Sequence, residues 1–146
     1  MMYSAPFGSR PLNPRNFAGA YQQVGAQTSV SGASAHQLVS LLFEAYFTAL
    51  LRAEGAIRSK DVPAKNAALC HALRIVDEGL KSALNLNAGG QLAADLADLY
   101  AYICLRLTQA NLRSDTEAIE ECRRLMQPLR EAWDSIAEHQ EVLNRF

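Results

Sequence analysis

The feature that most constrains the fold is a helical recurrence of apolar residues from residue 34 onward, with no alternating strand pattern anywhere in the chain. A capping box, Ser34-x-x-Gln37, opens the first predicted helix, and Pro63 fits the first turn of the second. A second capping box at Ser114 opens the last one. Because short loops join helices of similar length, the sequence predicts an all-α fold, an antiparallel up-down-up-down four-helix bundle. The predicted helices cover residues 34–59, 62–85, 90–112 and 115–137.

The two ends of the chain differ from this pattern. Residues 1–33 contain three prolines, four glycines and no acidic residue, which predicts a mobile N-terminal segment, with residues 1–16 as a disordered tail. The region around Tyr21 is the part expected to dock on the bundle, and the aromatic residues spaced along the segment as candidate anchors are Tyr3, Phe7, Phe17 and Tyr21. Residues 138–146 are a tail or an extension of the fourth helix. Pro128 predicts a kink near Leu125 inside that helix.

The composition is that of one soluble globular domain: 146 residues, 49% hydrophobic and 20% charged. A net charge of -1 argues against nucleic acid as the partner. The three cysteines are widely spaced and form no Cys-x-x-Cys pair, which favours reduced thiols in a cytosolic protein. The longest apolar stretch, residues 38–51, includes Glu44 and is too short to span a bilayer, and the first residues lack a secretory signal. The sequence therefore predicts a cytoplasmic protein without membrane insertion.

The sequence contains no pattern typical of a catalytic or metal site. There is no Glu-x-x-His, His-Glu-x-x-His, Cys-x-x-Cys-His or Walker loop, and Gly89-Gly90 by itself indicates only a turn. The three histidines, His36, His71 and His139, lie far apart along the chain. We therefore expect no catalytic residue, no metal ion and no cofactor.

The informative feature is that the apolar faces are wider than one bundle needs. In residues 38–51 the polar side chains form a single narrow strip, so the apolar arc has about twice the usual width. Phe43, Phe47 and Leu50 are therefore expected to lie outside the bundle seam. The second and third helices carry flanks of small residues, which leave a shallow trough of the kind that an incoming amphipathic helix needs.

Two alternatives stay open on the residues alone. The surplus apolar surface could close on a second copy of the chain, which would make the protein a homodimeric interaction protein. His71 followed by Arg74 also resembles the spacing of a histidine phosphotransfer domain, another four-helix bundle, although Ile75 replaces the glycine expected there.

Several segments, taken in order, resemble the flagellar secretion chaperones of the FliS family. Members carry a tyrosine in a loose N-terminal segment, here Tyr21, and a cap that leads into an LIxMLYDG-like helix. Further on, the chain is similar to the end of the family's second helix and to its LxxLYxY, LxxAN and LRxAW signatures. Departures occur at Ala35 and at residues 43–45. The matching segments are residues 32–34, 38–44, 75–85, 96–102, 107–111 and 129–133.

The resemblance implies a cytoplasmic, non-enzymatic chaperone that binds the disordered C-terminal segment of flagellin. Such a chaperone prevents premature polymerisation and delivers its client to the flagellar type III export gate. Client side chains are expected along the flanks of the second and third helices and the outer edge of the first. Tyr21 and Val24 are expected to cover part of this groove until a client binds, although a permanent fold-back of Tyr21 is equally compatible. The predicted contacts are Tyr21, Val24, Phe43, Phe47, Leu50, Ala72, Ile75, Gly79, Ala93, Ala97, Tyr100 and Ala101.

Overall fold

The computed structural model describes residues 14–21 and 35–144, with side chains placed for residues 15–21 and 36–136. These residues form helices and short connections, and no strand occurs among them, so the predicted all-α class is confirmed. A π-helical segment, Ile75–Lys81, continues directly from the third helix. The α-helices are α1 (Pro14–Ala20), α2 (Ala35–Arg58), α3 (Val62–Arg74), α4 (Leu86–Arg113) and α5 (Thr116–Asn144).

Three of the helices begin at a side chain that accepts backbone N–H groups of the first turn. The Asp61 carboxylate accepts the N–H of Ala64 at 3.1 Å at the start of α3. The Asn85 side-chain oxygen accepts the N–H groups of Asn87 and Ala88 at 3.1 and 3.0 Å at the start of α4. These side chains satisfy donors that have no partner inside their helix.

The capping box predicted at Ser114 is wrong. The side chain that caps α5 is Asp115, whose carboxylate accepts the N–H of Glu117 at 2.9 Å. Ser114 instead adopts left-handed backbone angles (φ 49°, ψ 47°) and closes the end of α4. The capping box predicted at Ser34 lies outside the described residues.

The turn predicted around Gly89 and Gly90 lies inside α4. This helix begins at Leu86 and is interrupted at Gly90, whose backbone angles (φ 58°, ψ −138°) are open only to glycine. The predicted start at residue 90 is therefore a kink four residues into the helix. At the other end of the chain, α5 runs through Pro128 and continues to Asn144. The predicted bend near Leu125 stays a prediction.

Each of the helices α2 to α5 packs against its neighbours in the chain, and α5 also packs against α2. α2 contacts α3, the π-helical segment and α5, while α4 contacts α3, the π-helical segment and α5. Each of the helices α2 to α5 therefore packs against at least two of the others. The largest fully buried aliphatic side chains are Leu50, Leu69, Leu80, Leu96, Leu99, Ile103 and Leu107.

The expectation that Phe43, Phe47 and Leu50 lie outside the seam is wrong. Phe43 and Leu50 are 1% and 0% exposed, and Phe47 is 8% exposed beneath the guanidinium of Arg130, which lies 5.1 Å from the ring centre. The physical reason is that α2 has neighbours on two sides and needs a wide apolar face to fill the space between them. A wide apolar arc is therefore part of the core here.

A short helix that the sequence did not indicate, α1, packs on α4 and α5. Its side chains Phe17 and Ala20 and the following Tyr21 are buried. The prediction of a disordered tail over residues 1–16 included no helix, whereas Pro14–Ala20 is helical. A seven-residue helix is too short to be stable alone, so its stability comes from tertiary contacts. It is also too short to show an apolar period in the sequence.

Within the described ranges, 14–21 and 35–144, no helix is both long and apolar enough to cross a lipid bilayer.

Candidate partner-binding surface

The α1 segment lies in an apolar site formed by α4 and α5. The hydroxyl oxygens of Tyr21 and Tyr100 form a buried hydrogen bond of 2.7 Å. The rings of Phe17 and Tyr21 contact Trp133 edge-on, with centroids 5.0 and 5.6 Å away. The backbone N–H of Asn85 donates to the carbonyl oxygen of Ala20 at 2.7 Å. The site thus holds α1 and Tyr21 through an aromatic cluster, one buried side-chain hydrogen bond and one backbone hydrogen bond.

Close backbone approach makes this docking possible. A Cβ atom added to Gly89 would lie 2.8 Å from Cα of Ala20 and 2.6 Å from Cβ of Ala93. Both distances are shorter than real carbon contacts, so a glycine is required for α1 to lie this close to α4. By contrast, a Cβ added to Gly19 would reach the Ala88 oxygen at 3.4 Å, an ordinary contact.

The two tyrosine hydroxyls in this site stay protonated. Burial raises the pKa of Tyr21 well above its ordinary value of 10, and the neighbouring Tyr100 raises it further. Burial is also the main cause that raises the pKa of Tyr100. The pair therefore acts as a neutral hydrogen bond between the residue that follows α1 and α4.

Trp133 is held at one end of the site by His36. The indole Nε1–H donates to the His36 carbonyl oxygen at 3.1 Å, and His36 Nε2 donates to the Trp133 carbonyl oxygen at 2.8 Å. The sequence indicated that Trp133 would be in the core, and its side chain is 3% exposed. It gave no sign of His36, because a single histidine at a helix start has no pattern that pairs it with a residue 97 positions away.

Most of the predicted contact residues are buried in this structure. The only ones with exposed surface are on α4 and the π-helical segment: Ala101 is exposed, and Ala97 and Gly79 are half-buried. Gly79 faces α2, because an added Cβ would lie 3.1 Å from Leu42 Cδ2. Val24 lies outside the described residues. The buried ones are Tyr21, Phe43, Phe47, Leu50, Ala72, Ile75, Ala93 and Tyr100.

An exposed apolar stripe on α4 includes two of the predicted residues. Leu105 and Leu112 are 49% and 79% exposed, and they lie at helical spacing from Ala97 and Ala101. We call these four residues the α4 stripe. The stripe extends along the same helix from the part of α4 that contacts α1. Exposed leucines at this spacing are typical of a surface for an amphipathic partner.

A second depression lies between α2 and α3. It consists of two cavities of about 690 and 330 Å³ that share Ala49, Arg52 and His71 in their walls. No sequence pattern indicates this groove, because its alanines fit close helix packing equally well. Within the described residues, no group of three or more histidine, cysteine or acidic side chains is placed to hold a metal ion.

Comparisons with known proteins give the family. The model of the flagellar protein FliS matches residues 17–140. The chain belongs to the FliS family. The flagellar secretion chaperone FliS of Salmonella typhimurium is 45% identical over 118 residues, which cover 81% of this chain and 87% of that protein. Its counterparts in Escherichia coli and Bacillus subtilis are 38% and 33% identical over 114 residues, which cover 78% of this chain and 84% and 80% of those proteins.

The family assignment confirms the resemblance inferred from the sequence and supports a chaperone role in flagellar export. FliS is a family of chaperones and not of enzymes, so the phosphotransfer alternative for His71 does not fit it. The FliS match begins at Phe17, and it therefore includes both aromatic side chains through which the α1 segment contacts Trp133.

Proposed function

We propose that the chain is a cytoplasmic export chaperone that binds the disordered C-terminal segment of flagellin. It prevents premature polymerisation of flagellin and delivers it to the flagellar type III export gate. Membership of the FliS family supports this function. The four helices α2 to α5 of the chain are proposed to form an up-down-up-down bundle that presents the client surface. The observation that carries the proposal is that an apolar site on α4 and α5 already holds a short helix, α1.

The α1 site has the chemistry of a helix-binding site. It accepts the apolar side chains Phe17 and Ala20 of α1 and Tyr21, the residue that follows α1. A site that binds one short helix through its apolar face can bind another that carries apolar residues at the same spacing. The C-terminal segment of flagellin, as a disordered client that becomes an amphipathic helix, has this character.

The client is proposed to contact two adjoining surfaces. The α4 stripe is accessible without any rearrangement, and from Ala97 to Leu112 it is about 22 Å long at 1.5 Å per residue. Ala93 and Tyr100 become accessible once the segment that carries Tyr21 and Val24 moves away. Client binding then replaces the contacts of α1 rather than adding to them, which keeps the net affinity moderate and allows release at the export gate.

The buried residues of α2, α3 and the π-helical segment are not part of this proposal. Phe43, Phe47, Leu50, Ala72 and Ile75 are in the core, where they contact neighbouring helices. Exposing them to a client would require opening the four-helix core, whereas Ala97 and Ala101 are reachable as they stand.

Titration calorimetry of the full chain with a peptide of about 40 C-terminal residues of the host's flagellin tests the proposal. We expect saturable one-to-one binding with a large negative heat-capacity change, because apolar surface is buried and the peptide folds. Ala101→Asp should abolish binding, since it places a charge in the α4 stripe. Ala67→Asp, at an exposed alanine on α3, is the matched control and should bind normally.

Two outcomes would contradict the proposal. Absence of binding at high micromolar peptide would exclude the flagellin C-terminus as the client. Equal binding by wild type and Ala101→Asp would exclude the α4 stripe as the contact surface. Far-UV circular dichroism of both variants establishes that the helices are intact.

A further inference from the structure

The last turn of α1 supplies a backbone contact that only the end of a helix can make. The N–H of Asn85 donates to the carbonyl oxygen of Ala20 at 2.7 Å, and Ala20 is the last residue of α1. Inside a helix each carbonyl oxygen accepts the N–H four residues later, so only the last four carbonyl oxygens are free. An occupant that satisfies Asn85 in the same way must therefore end its helix here instead of continuing through the site.

The position of Ala20 has room for a small side chain only. Ala20 is fully buried, and a Cβ added to Gly89 would lie 3.0 Å from its Cβ atom. A larger side chain in its place would push against the first turn of α4, and overpacking a buried contact is destabilising. The site therefore selects alanine or glycine at this position. The preceding Gly19 is different, because a Cβ there would make an ordinary contact with the Ala88 oxygen at 3.4 Å.

The position of Tyr21 requires a side chain that can form a hydrogen bond. Its hydroxyl shares a hydrogen bond of 2.7 Å with that of Tyr100, which is fully buried. An occupant with an apolar side chain there would leave the Tyr100 hydroxyl buried without this partner, and an unpaired buried polar group is costly. Sites that hydrogen-bond a polar group of a ligand discriminate strongly against ligands that lack it. The side chains that fit are those with a hydroxyl or an amide group.

The position of Phe17 completes the pattern. Phe17 lies three residues before Ala20 and four before Tyr21, which is the spacing of side chains on one side of a helix. Its ring is buried against Trp133, with centroids 5.0 Å apart. The intervening residues 18–19 are only half-buried. A large apolar side chain is thus required at the first position, whereas the next two positions are less restricted.

We propose that the α1 site selects the client segment by the C-terminal end of a helix with a defined order of side chains. The order is a large apolar residue, two less restricted residues, alanine or glycine as the last helical residue, and then a residue with a hydroxyl or an amide group. This inference rests on the proposed function, in which the client takes the place of α1, and it adds which client helix binds there and in which direction. The groups of the chaperone that set the requirements are the ring of Trp133, the backbone of Gly89, the N–H of Asn85 and the hydroxyl of Tyr100.

The size requirement can be tested on the full chain without a client. Ala20→Leu should release α1, so acrylamide should quench the fluorescence of Trp133 more strongly than in wild type. Asn16→Leu places the same side chain at an exposed position of α1, and this matched control should be quenched like wild type. Equal quenching of Ala20→Leu and wild type would overturn the size requirement.

The hydrogen-bond requirement is tested by titration calorimetry of the full chain with the same C-terminal flagellin peptide. Each peptide residue that has a hydroxyl or an amide group is replaced in turn by alanine. One replacement should weaken binding about tenfold with the wild-type chain and less than about twofold with Tyr100→Phe, because the hydroxyl that it pairs with is then absent. Tyr102→Phe removes a hydroxyl elsewhere on α4 and should show the same loss as wild type. The residue directly before the sensitive one should be alanine or glycine, and the residue four positions before it should be large and apolar.

The outcomes separate this inference from the proposed function. A peptide that binds, and loses binding with Ala101→Asp, but has no position coupled to Tyr100 would overturn the inference and leave the proposed function intact. A coupled position whose neighbours do not follow the expected order would overturn it as well. A peptide that does not bind at all contradicts the proposed function, and the inference falls with it. Circular dichroism checks that each variant is folded.

Discussion

His36 and Trp133 are linked by two reciprocal hydrogen bonds, each from the side chain of one residue to the backbone of the other. Each residue donates a side-chain N–H to the other's carbonyl oxygen, and the two rings stack with centroids 4.9 Å apart and planes 7° from parallel. The pair connects the first turn of α2 to α5 beside the rings of Phe17 and Tyr21. It therefore fixes the wall of the site in which α1 lies.

Replacing the indole should weaken the fold measurably. Trp133→Phe removes the N–H that His36 accepts and leaves space beside Phe17, so we expect a loss of about 1–3 kcal/mol in the free energy of unfolding. Urea denaturation followed by far-UV circular dichroism measures this. Tyr102→Phe is the control: it removes a hydroxyl that donates to Glu121, which stays paired with Arg106, and should cost less. Equal losses in the two variants would contradict the role given to the His36–Trp133 pair.

A single methyl group should release α1 from its site. Gly89→Ala places a carbon where Ala20 and Ala93 already lie, whereas Gly19→Ala places one at ordinary contact distance. Trp133 is the only tryptophan of the chain, so its fluorescence reports on the cover provided by Phe17 and Tyr21. We expect acrylamide to quench Trp133 more strongly in Gly89→Ala and equally in Gly19→Ala and wild type. Unchanged quenching in Gly89→Ala would show that α1 accommodates the methyl group.

Lys65 should contribute to stability although it carries a charge. Its side chain is buried, and its ammonium group donates to the Asn111 carbonyl oxygen at 2.9 Å and to the Ser114 hydroxyl at 2.8 Å. Lys65→Met leaves these acceptors without a donor at the end of α4, so we expect a loss of about 1–3 kcal/mol in the free energy of unfolding. Arg74→Met, at an exposed position on α3, should change it little. Equal urea midpoints of unfolding for the two variants would contradict this stabilising role of Lys65.

The three cysteines should differ in reactivity in a way that depends on pH. Cys70 is exposed, whereas burial raises the pKa of Cys104 to about 11 and that of Cys122 to about 12. At pH 8 the native protein should therefore react with a thiol reagent rapidly at one site, and Cys70→Ser should remove this phase. Because the thiolate is the reactive form, each rise of one pH unit below pH 11 should speed Cys104 about tenfold. A fast second thiol at pH 8 would contradict the burial of Cys104.

The helices of the core could be predicted because their apolar period is long and regular, but their ends could not be fixed. Ser114 and Asp115 are both good capping residues, and only the backbone angles of Ser114 decide between them. A helix of seven residues such as α1 has too few turns to show a period, and its stability depends on Trp133, more than a hundred positions away.

The candidate site was harder to predict than the fold. A wide apolar arc on α2 is compatible with a core face or with a binding face, and the pattern alone cannot separate Leu50, which is buried, from Leu51, which is 63% exposed. The difference depends on which neighbours α2 has, and these follow from the packing of the whole chain. On α4 the sequence placed Ala93, Ala97 and Ala101 on one flank, yet Ala93 is buried, Ala97 is half-buried and Ala101 is exposed.

The π-helical segment Ile75–Lys81 bears on how the length of this chain can change during evolution. Its wider turns, such as the one closed by the Ser82 N–H on the Asp77 carbonyl oxygen at 3.2 Å, accommodate one residue more than α-helical turns would. Deleting one residue here can restore ordinary helical turns and leave the following residues in phase with the core. The same deletion in the middle of α4 would rotate every later apolar side chain by about 100°. Single-residue deletions are therefore expected to be tolerated at residues 75–81, whereas single-residue insertions and deletions are expected to be selected against along α4.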